Sequence, residues 1–308
     1  MRAKTLFYIL KRLVIAILTI FLVATITFFV MNAIPGGPFN SEKSVSPETL
    51  AALNRKYGLD KPLLEQYGNY LKNIVRFDFG PSLKTKGRMV TDILLDGLAT
   101  SVKLGLVAAL LAIGLGLLFG TTAAVFRSKF PDKAIMLFTT ASVAMPSFVI
   151  GTFLLIIFAL KLNWFPAIGA EKGGLVLPVV SLALYPTAYI TRLTRSSMLD
   201  VMGQDFIRTA RAKGVSKVSV IYKHTLRNAL IPVITYVGPM IAYIVTGSLV
   251  VEQIFSVPGL GRAFTTSIIN RDYTLIMGTT IVLATLVILM NLVSDILYTI
   301  VDPRIDLN

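Results

Sequence analysis

The chain reads Phe206-Ile207-Arg208-Thr209-Ala210-Arg211-Ala212-Lys213-Gly214 within a cationic stretch, residues 199–228, that lies between two long apolar runs. A helical wheel places the apolar and small residues Phe206, Ile207, Ala210 and Gly214 on one side, opposite Arg208 and Arg211. The small Ala210 and Gly214 leave room for another protein's surface, and Gly214 can also end the helix. The pattern indicates a hinge segment of a membrane protein, to which a protein outside the membrane binds. An ordinary basic loop at the membrane interface is the alternative.

A second short helix is predicted to follow this hinge. Ser216 is suited to cap its N-terminus through the side-chain hydroxyl. Beyond it, residues at helical spacing form one stripe opposite a basic row: Val218, Ile221, Tyr222, Thr225 and Leu226 against Lys217, Lys223, His224 and Arg227. Such a helix would lie along the membrane surface until Pro232 begins the next apolar run.

The composition indicates a membrane protein. Of the 308 residues, 55% are hydrophobic and 15% are charged, a balance too apolar for a soluble domain. Six windows without a charged residue are each long enough for a helix to cross about 30 Å of hydrocarbon. They are residues 13–31, 104–126, 134–160, 175–191, 229–251 and 275–294, so six crossings are predicted.

The first apolar window is preceded by basic residues, as in a secretory signal peptide. Its apolar run is longer than the roughly 7 to 15 residues of a signal core, and no small-residue cleavage site follows residues 34–37. We therefore expect it to be a retained helix.

Lysine and arginine in short loops favour the cytoplasmic side of a membrane. If the N-terminus is cytoplasmic, the inner side receives sixteen of these residues, and the short outer loops receive four: Lys161, Lys172, Arg262 and Arg271. The other ten lie between residues 34 and 103, in a loop too long for the rule to apply. Both termini are therefore expected in the cytoplasm. The net charge of +14 fits this orientation and anionic lipid headgroups, and nucleic-acid binding is not expected.

The long loop after the first window has a helical pattern of its own. Ser46-Pro47-Glu48 is typical of a helix start, and Gly58 would end that helix. After Pro62, apolar residues again repeat on one stripe, made of Leu64, Tyr67, Tyr70, Leu71 and Ile74. The sequence predicts a small helical cap on the outer membrane face, serving as a lid or as a docking surface for an extracellular partner.

Short blocks along the whole chain resemble one family of membrane proteins. Residues 206–214, followed by His224-Thr225-Leu226 and Leu230-Ile231-Pro232, resemble the coupling-loop motif of ABC importer permeases in its dipeptide and oligopeptide form. Other matching blocks are Pro35-Gly36-Gly37-Pro38-Phe39, Tyr57-Gly58-Leu59-Asp60-Lys61-Pro62, Asp78-Phe79-Gly80-Pro81-Ser82, Pro146-Ser147-Phe148, Arg192-Leu193-Thr194-Arg195-Ser196-Ser197-Met198, Val251-Glu252-Gln253-Ile254-Phe255, Pro258-Gly259-Leu260-Gly261, Asn270-Arg271-Asp272-Tyr273 and Asp302-Pro303-Arg304. The resemblance is greatest to the first of the two permease subunits of an oligopeptide importer.

Two positions depart from the general importer motif. That motif begins Glu-Ala-Ala six residues before its glycine, where this chain has Arg208-Thr209-Ala210, and Arg227 replaces its proline. Both departures are typical of the peptide-transporting branch. They remove the glutamate, so a salt bridge from that position is not expected here.

The resemblance implies an all-α membrane protein of the type I ABC importer permease fold, with six transmembrane helices and an extracellular helical insertion between helices 1 and 2. Residues 1–33 would form a cytoplasmic tail and the first transmembrane helix, and residues 34–96 the extracellular loop. Residues 97–302 would form the transporter domain, including the coupling region 199–228, and residues 303–308 a cytoplasmic tail. The protein would lie in the plasma (inner) membrane.

The resemblance also implies a function, a permease subunit of an ATP-driven, binding-protein-dependent importer of oligopeptides. Its partners would be a second permease subunit in a heterodimer, two ATP-binding subunits in the cytoplasm and an extracellular peptide-binding protein. ATP and magnesium would bind to the ATPase subunits and no cofactor to this chain, whose sequence has no Gly-x-x-x-x-Gly-Lys-Ser/Thr phosphate loop. The residues that couple to the ATPase would be Asp205, Phe206, Ile207, Arg208, Thr209, Ala210, Arg211, Ala212 and Gly214.

A second candidate site lies near the end of the fifth apolar window. Its residues are candidates for a gate or for contact with the binding protein: Glu252, Pro258, Gly259, Gly261 and Arg271. The proline and the two glycines predict a turn rather than a helix. An ordinary connection with Glu252 near a helix end is the alternative.

Three features inside the apolar windows have structural and functional interpretations. Asp295, an acid directly after the sixth window, is a functional candidate by position, although pairing with a basic residue at the interface is the simpler expectation. Gly116 and Gly120 have the spacing that brings transmembrane helices together, within this subunit rather than at a dimer interface. Pro146 and Pro186 would interrupt helices and are candidates for kinking them toward the translocation path, with a purely structural role as the alternative.

Other classes of function fit the sequence poorly. With a single histidine, His224, and no cysteine, neither a histidine-based metal cluster nor a thiol nucleophile is expected, and the chain is not expected to be an enzyme. An ion-coupled secondary transporter would carry charges near the bilayer midplane, which the first five windows lack. Dipeptides, nickel complexes or signalling peptides remain alternative cargoes within the same architecture.

Overall fold

The structure, a computed structural model, describes residues 2–35, 37–39 and 46–301, with the backbone alone for residues 2–9 and 295–301. These residues are helical and contain no β-strand beyond a single bridge between Pro81 and Met89. The helices are α1 (Arg2–Ala33), α2 (Pro47–Tyr57), α3 (Leu63–Val75), α4 (Val90–Val125), α5 (Phe130–Ala144), α6 (Ser147–Leu154), α7 (Val176–Met202), α8 (Asp205–Ala212), α9 (Lys217–Ser219), α10 (Arg227–Ala229), α11 (Ile231–Val245), α12 (Leu249–Ile254), α13 (Leu260–Asn270) and α14 (Tyr273–Val301), with π-helical segments at Leu155–Lys161 and Val220–Leu226.

The chain forms two compact units. One comprises Met1–Thr100 and Pro258–Ile288, and the other comprises Ser101–Val257 and Leu289–Asn308. The first unit contains α2, α3 and α13, which are too short or too polar to cross a membrane. The second contains α5 to α12, including the cationic stretch.

Five helical stretches in the described residues are long and apolar enough to cross a membrane: Leu10–Ala33, Val90–Val125, Val176–Met202, Ile231–Ile254 and Tyr273–Ser294. They correspond to five of the six predicted crossings. The second one, α4, begins at Val90, well before the apolar window at 104 and before the boundary drawn at residue 97. Polar residues in its first turns therefore belong to the helix and not to the preceding loop.

The third predicted crossing is a bent pair of helices rather than a straight helix. Phe130–Ala144 and Ser147–Lys161 meet at 107°, and counting the pair as one broken span gives the six crossings predicted. The break lies at Met145 and Pro146. Proline has no N–H to donate and disfavours helical geometry in the residue before it, and Met145 is extended, with φ −90° and ψ 129°.

Glycines allow α4 to lie close to α7 and α11 in the second unit. A Cβ atom on Gly116 would lie 2.6 Å from Cβ of Ile190, and one on Gly120 would lie 2.6 Å from Cβ of Thr194. A Cβ atom on Gly105 would lie 2.9 Å from the backbone of α11. Any larger residue would push the helices apart, so the predicted role of Gly116 and Gly120 in packing within this subunit is confirmed.

The two outer helices of the first unit form as the sequence predicts. Ser46 caps α2 by accepting a hydrogen bond from the Thr49 amide at 3.2 Å, and Gly58 ends it in the left-handed region at φ 66°. Helix α3 contacts α1 through aromatic rings, since Tyr70 stacks on Phe28 with 5.5 Å between ring centroids. Helix α3 is therefore packed on the first membrane helix.

Candidate functional site

The apolar side of α8 packs against its own chain. Ile207 has no exposed surface and Ala210 is 9% exposed. Both belong to what we call the α8 cluster, whose buried members come from α4, α7, α8 and the residues that follow: Ala124, Met198, Val201, Ile207, Ala210, Val220 and Ala229. We expected Ala210 to receive a partner's surface. Instead, its small side chain lets α8 pack closely on the ends of α4 and α7.

The remaining predicted coupling residues lie on the outer side of α8. They are exposed side chains, or glycine, and form one continuous surface: Asp205, Phe206, Arg208, Thr209, Arg211, Ala212 and Gly214. Phe206, 41% exposed, was placed by the helical wheel with Ile207, but adjacent helical residues point about 100° apart. Burial of Ile207 therefore turns Phe206 outward. The assignment of this surface to an ATPase contact stays a prediction.

Gly214 has a conformational role. Its φ is +78°, in the left-handed region that side-chain-bearing residues rarely adopt, and its amide donates to the Arg211 carbonyl at 3.0 Å as the helix ends. A Cβ atom there would meet nothing within 4 Å. The glycine is therefore required by the backbone turn and not by the space around it.

The helix that follows starts as predicted but presents a different face. Ser216 accepts a hydrogen bond from the Ser219 amide at 3.4 Å, which confirms the predicted cap. Val220–Leu226 is π-helical, and the residues it buries are Val220 and Thr225. Their separation of five follows the i to i+5 hydrogen bonding of a π-helix. Of the predicted stripe, Thr225 is buried within the chain, whereas Val218 and Tyr222 are exposed on its surface. The predicted position of this stripe along the membrane surface stays a prediction.

Basic side chains dominate the surface beside α8. A depression of about 520 Å³ has an apolar lining that includes Val125 and Met202, together with Arg211 and Lys217. The one ion pair described on α8, between Arg208 and Asp205 at 3.4 Å, is exposed on both sides and therefore adds little stability. This surface is suited to an acidic partner.

An ion pair ties α5 to α7 near the α8 cluster. Arg195 donates two hydrogen bonds to Asp132, at 2.7 and 2.8 Å, and the Ser128 amide donates a third at 2.8 Å. The Asp132 side chain is 4% exposed. One turn away, Arg192 donates to Thr140 at 2.7 Å. The sequence analysis counted these arginines as interfacial charges and missed the pairing. The available signal was Asp132 itself, since it is the acid in a short basic loop.

Glu252 is a buried carboxylate of the second unit. It has no exposed surface, and the Ser101 hydroxyl of α4 donates to its Oε1 at 2.8 Å. Gly247, at φ +91°, leaves room for it, because a Cβ atom there would lie 3.0 Å from Oε1. The side chain is therefore fixed in the core near the start of α12 and is not a loop residue that faces solvent.

The other gate candidates belong to the first unit. Pro258 and Gly259 lie outside the helices, between α12 and α13, as expected, but Gly261 is buried within α13, where we expected a turn. A glycine in the first turn of a helix costs only about 1 kcal/mol, and the apolar residues of α13 outweigh that cost by their burial. Arg271 ends α13 in the left-handed region at φ 54°. No finding tests a gating role.

Asp272, quoted only as part of a motif, organises the start of α14. It is 1% exposed and accepts hydrogen bonds from the Leu275 amide at 3.2 Å, the Thr274 hydroxyl at 3.0 Å and the Leu83 amide at 3.2 Å. The Ser82 hydroxyl also donates to it. One carboxylate thus caps a helix and holds a loop nearly two hundred residues earlier in sequence, a link that spacing along the chain does not reveal.

Two further predictions fall partly outside the described atoms. The backbone of α14 includes Asp295, but its side chain lies outside the described residues, as do Asp302, Pro303 and Arg304. In the remaining part of the chain, no group of three or more His, Cys, Asp or Glu could hold a metal ion.

The second unit also contains a cavity of about 890 Å³, which we call the central cavity. It lies where the break between α5 and α6 faces α7, α11 and the turn before α12. Its walls include Met145 and Pro146 of the break, and Tyr185, Tyr236 and Tyr243. The sequence analysis singled out Pro146 and Pro186, which both line this cavity, but it did not predict the cavity itself, because that depends on how three helices and a break come together.

Comparisons with known proteins give consistent results along the chain. The profile described as "Binding-protein-dependent transport system inner membrane component" matches residues 116–307, and the profile of its N-terminal region matches residues 5–104. The oligopeptide transport system permease protein OppB of Haemophilus influenzae is 46% identical over 97% of this chain and 98% of that protein. The dipeptide transport system permease protein DppB of Bacillus subtilis is 45% identical over 98% of each.

A solved structure resembles the transporter part of the chain. It is an inward-facing conformation of the MetNI methionine ABC transporter, with a TM-score of 0.56 and 18% identity over 68% of this chain and 96% of that one. At this identity the likeness concerns the fold alone, and it confirms the helical fold predicted from the sequence.

Proposed function

We propose that this chain, which belongs to the family of binding-protein-dependent transport system inner membrane components, is a permease subunit of an ATP-driven importer of oligopeptides. The observation that carries the proposal is its similarity, over nearly the full length, to permeases named for oligopeptide and dipeptide transport. The protein is a multi-pass protein of the inner membrane. We place both termini in the cytoplasm, because that orientation puts the cationic stretch and most short-loop lysines and arginines inside.

The chain itself is proposed to be non-catalytic. Its sequence lacks the glycine-rich phosphate loop with lysine that an ATP-hydrolysing subunit of this kind uses. Membership in an ABC importer implies ATPase subunits, a substrate-binding protein and a second permease. We propose that these are two ATPases in the cytoplasm, an extracellular peptide-binding protein and a non-identical permease.

The exposed side of α8 is the proposed ATPase contact. Phe206 supplies an exposed aromatic side chain, and Arg208 and Arg211 supply positive charge around it. The buried side joins the contact to the membrane helices, since Ile207 packs with Ala124 of α4 and Met198 of α7. Close-packed interiors transmit displacement rather than absorb it. A movement of α8 imposed by an ATPase would therefore move the ends of α4 and α7.

The ion pair between Asp132 and Arg195 extends this connection to α5. Because α5 ends at the break that borders the central cavity, the mechanical path runs from α8 through α7 and α5 to the cavity wall. Rigid-body motion of this kind is how alternating access is produced in transporters.

Reconstituted vesicles would test the proposed function. Vesicles with the chain, its partner permease, the ATPases and the binding protein should take up labelled peptide when ATP is supplied, and ionophores should not reduce the uptake. The chain alone should not transport. Uptake that continued without ATP and stopped when ion gradients were dissipated would instead indicate a secondary transporter.

Dipeptides are a second candidate cargo, favoured by the 45% identity with the Bacillus subtilis dipeptide permease. Competition by unlabelled peptides of two to six residues distinguishes the cargoes. Strong competition by tetra- and pentapeptides is expected for an oligopeptide importer, whereas competition by dipeptides alone would assign the chain to dipeptide transport.

A further inference from the structure

Helix α3 packs against the part of α1 that crosses the membrane. The hydroxyls of Tyr67 and Thr25 share a hydrogen bond of 2.7 Å, and the Tyr70 ring stacks on Phe28. Thr25 and Phe28 belong to the crossing stretch Leu10–Ala33. At the rise of an α-helix, Phe28 lies about 8 Å from the C-terminal end of that stretch. One face of α3 is therefore held beside a crossing helix, within the last turns of its span.

The segment that follows α3 contacts a second crossing helix. Phe79 packs against the cluster that contains Val90 and Leu275, and its ring lies 3.5 Å from the place that a Cβ atom would take on Gly278. Gly278 lies near the start of the crossing stretch Tyr273–Ser294. Two independent contacts, one with α1 and one with α14, thus place α3 and the residues after it at the boundary of the bilayer.

A second face of α3 is apolar and exposed. Leu64, Leu71 and Val75 are spaced by seven and four residues, so they lie within about 40° of one another around the helix. Leu64 is 75% exposed and Val75 is 79% exposed. The tyrosines that contact α1, Tyr67 and Tyr70, lie roughly 60° to 120° away on the same helix. Packing on α1 therefore leaves this apolar face open.

Phe77 extends the open face beyond the end of the helix. Its side chain is 77% exposed, although its backbone lies in the left-handed region at φ 56°, which residues with a bulky side chain rarely adopt. The Thr91 hydroxyl of α4 donates a hydrogen bond to the Phe77 carbonyl at 3.4 Å. A strained turn that leaves an aromatic ring unpacked indicates a contact outside this chain. We call Leu64, Leu71, Val75 and Phe77 the α3 stripe.

Phospholipid is the occupant that the position of the α3 stripe favours. In the turns that α3 contacts, α1 exposes Ile26 and Val30, and exposed apolar side chains of a crossing helix face lipid. Lys72 and Arg76 are exposed next to the stripe. Helices that lie in the membrane interface combine an apolar face with basic residues in this way, and the apolar face enters the boundary between headgroups and acyl chains by about 5 to 10 Å. The depth of Phe28 on α1 matches that range.

From these contacts we infer that α3 is an interfacial helix whose stripe is immersed in the outer phospholipid leaflet. The insertion between the first two crossings is then anchored in the bilayer at this helix and is not a free lid. The inference goes beyond peptide import, since it requires only that the chain lies in a membrane.

Spin labels on single cysteines test this placement. The chain has no cysteine, so Val75→Cys and Leu64→Cys each provide one labelling site on the α3 stripe. Asn69→Cys is the matched control, because Asn69 is exposed on the same helix about 140° around from Leu64. The labelled chain is reconstituted in phospholipid vesicles, both alone and with cysteine-free partner subunits. Collisions of the label with oxygen, which dissolves in lipid, and with a water-soluble nickel chelate are measured by power saturation.

The ratio of oxygen to nickel collisions should be severalfold higher at positions 64 and 75 than at position 69, in the chain alone and in the complete transporter. Equal ratios at the three positions would mean that the stripe faces water and would overturn the inference. Shielding of 64 and 75 from both reagents in the complete transporter would assign the stripe to a partner subunit and would also overturn it. Failure of wild-type peptide uptake would count against the proposed function and leave these ratios unchanged.

Discussion

The α8 cluster and the central cavity lie in the same compact unit but are built in opposite ways. In the cluster, Ile207 is fully buried and packs with residues of α4 and α7, and the neighbouring carboxylate of Asp132 receives three hydrogen bonds. At the cavity, Pro146 separates α5 from α6, and the Ser181 hydroxyl lacks a partner among the described residues. Pro186, which we expected to interrupt a helix, lies inside the continuous helix α7. The first region consists mainly of packed side chains beside a fully hydrogen-bonded carboxylate, and the second is mainly open space.

The difference matches two mechanical tasks. A part that transmits force must be stiff, which close packing and satisfied polar groups provide. A part that handles changing cargo must leave space and hydrogen-bonding capacity unfilled. If this division is correct, damage to the filled region should appear in stability and coupling, and damage to the open region in transport of particular peptides.

The largest effect is expected when the ion pair of the filled region is broken. Arg195→Met leaves Asp132 buried without its guanidinium partner, and such a loss costs about 3 to 5 kcal/mol. The purified variant should show a much lower thermal unfolding temperature and poor membrane yield. Thermal unfolding in detergent, with intrinsic fluorescence as the probe, measures this.

A double variant controls for the loss of side-chain volume. Asp132→Leu combined with Arg195→Met replaces the pair by apolar groups and should recover much of the stability, because no unpaired charge remains. An Arg195→Met protein as stable as the wild type would mean that the pair is not a fastening of the α8 region.

Adjacent residues on α8 allow the two sides of the helix to be tested separately. Ile207→Ala removes a fully buried side chain and should cost about 3 kcal/mol of folding stability. Phe206→Ala removes an exposed ring and should leave the unfolding temperature nearly unchanged, yet weaken ATPase copurification severalfold. Thermal unfolding and pull-down of the ATPases from one membrane preparation measure both effects.

The opposite pattern would reverse the assignment. If Ile207→Ala released the ATPases without destabilising the chain, while Phe206→Ala left copurification at wild-type yield, the apolar side of α8 would be the contact, as the helical wheel first indicated.

The sequence was sufficient for features that depend on local chemistry. Apolar windows located the crossings, Ser46 and Ser216 were correctly read as caps, and the spacing of Gly116 and Gly120 indicated close helix packing. The sequence did not predict features that depend on which distant segments pack against each other. Ile207 and Phe206 are equally apolar in sequence, and only the packing of α4 and α7 decides which one is buried. Asp272 and Ser82 are likewise brought together by tertiary structure alone.

The change of helix type was also not predicted. The π-helical turn at Val220–Leu226 shifts the buried face, and nothing in the residue pattern announced it. The central cavity was beyond prediction for a related reason, since it results from the 107° bend at Pro146 and from the faces that α7 and α11 turn towards it.

A smaller effect is expected at Gly214, where backbone conformation and space can be distinguished. Gly214→Ala forces a side-chain-bearing residue to φ +78° and should cost about 1 kcal/mol. Gly214→Asn is bulkier, but asparagine tolerates the left-handed region, so it should cost less. Unfolding temperature and peptide uptake should both be highest with glycine at position 214, lower with asparagine and lowest with alanine. If alanine behaved like glycine and asparagine abolished uptake, close approach of a partner would be the constraint.

The smallest effect is expected at Tyr70, whose hydroxyl, like that of Ser181, has no partner among the described groups but lies in an aromatic stack and not in a cavity. Tyr70→Phe should leave uptake unchanged and neutral-pH stability within a few tenths of a kcal/mol, because no hydrogen bond is lost. Burial raises the pKa of Tyr70 above its ordinary 10.0, so the unfolded chain releases that proton first and wild-type stability falls as the pH rises above about 10. Unfolding temperatures measured between pH 8 and about 11 should therefore fall less steeply for Tyr70→Phe. An equally steep fall in the wild type and in Tyr70→Phe would mean that ionisation of Tyr70 is not what lowers the stability at high pH.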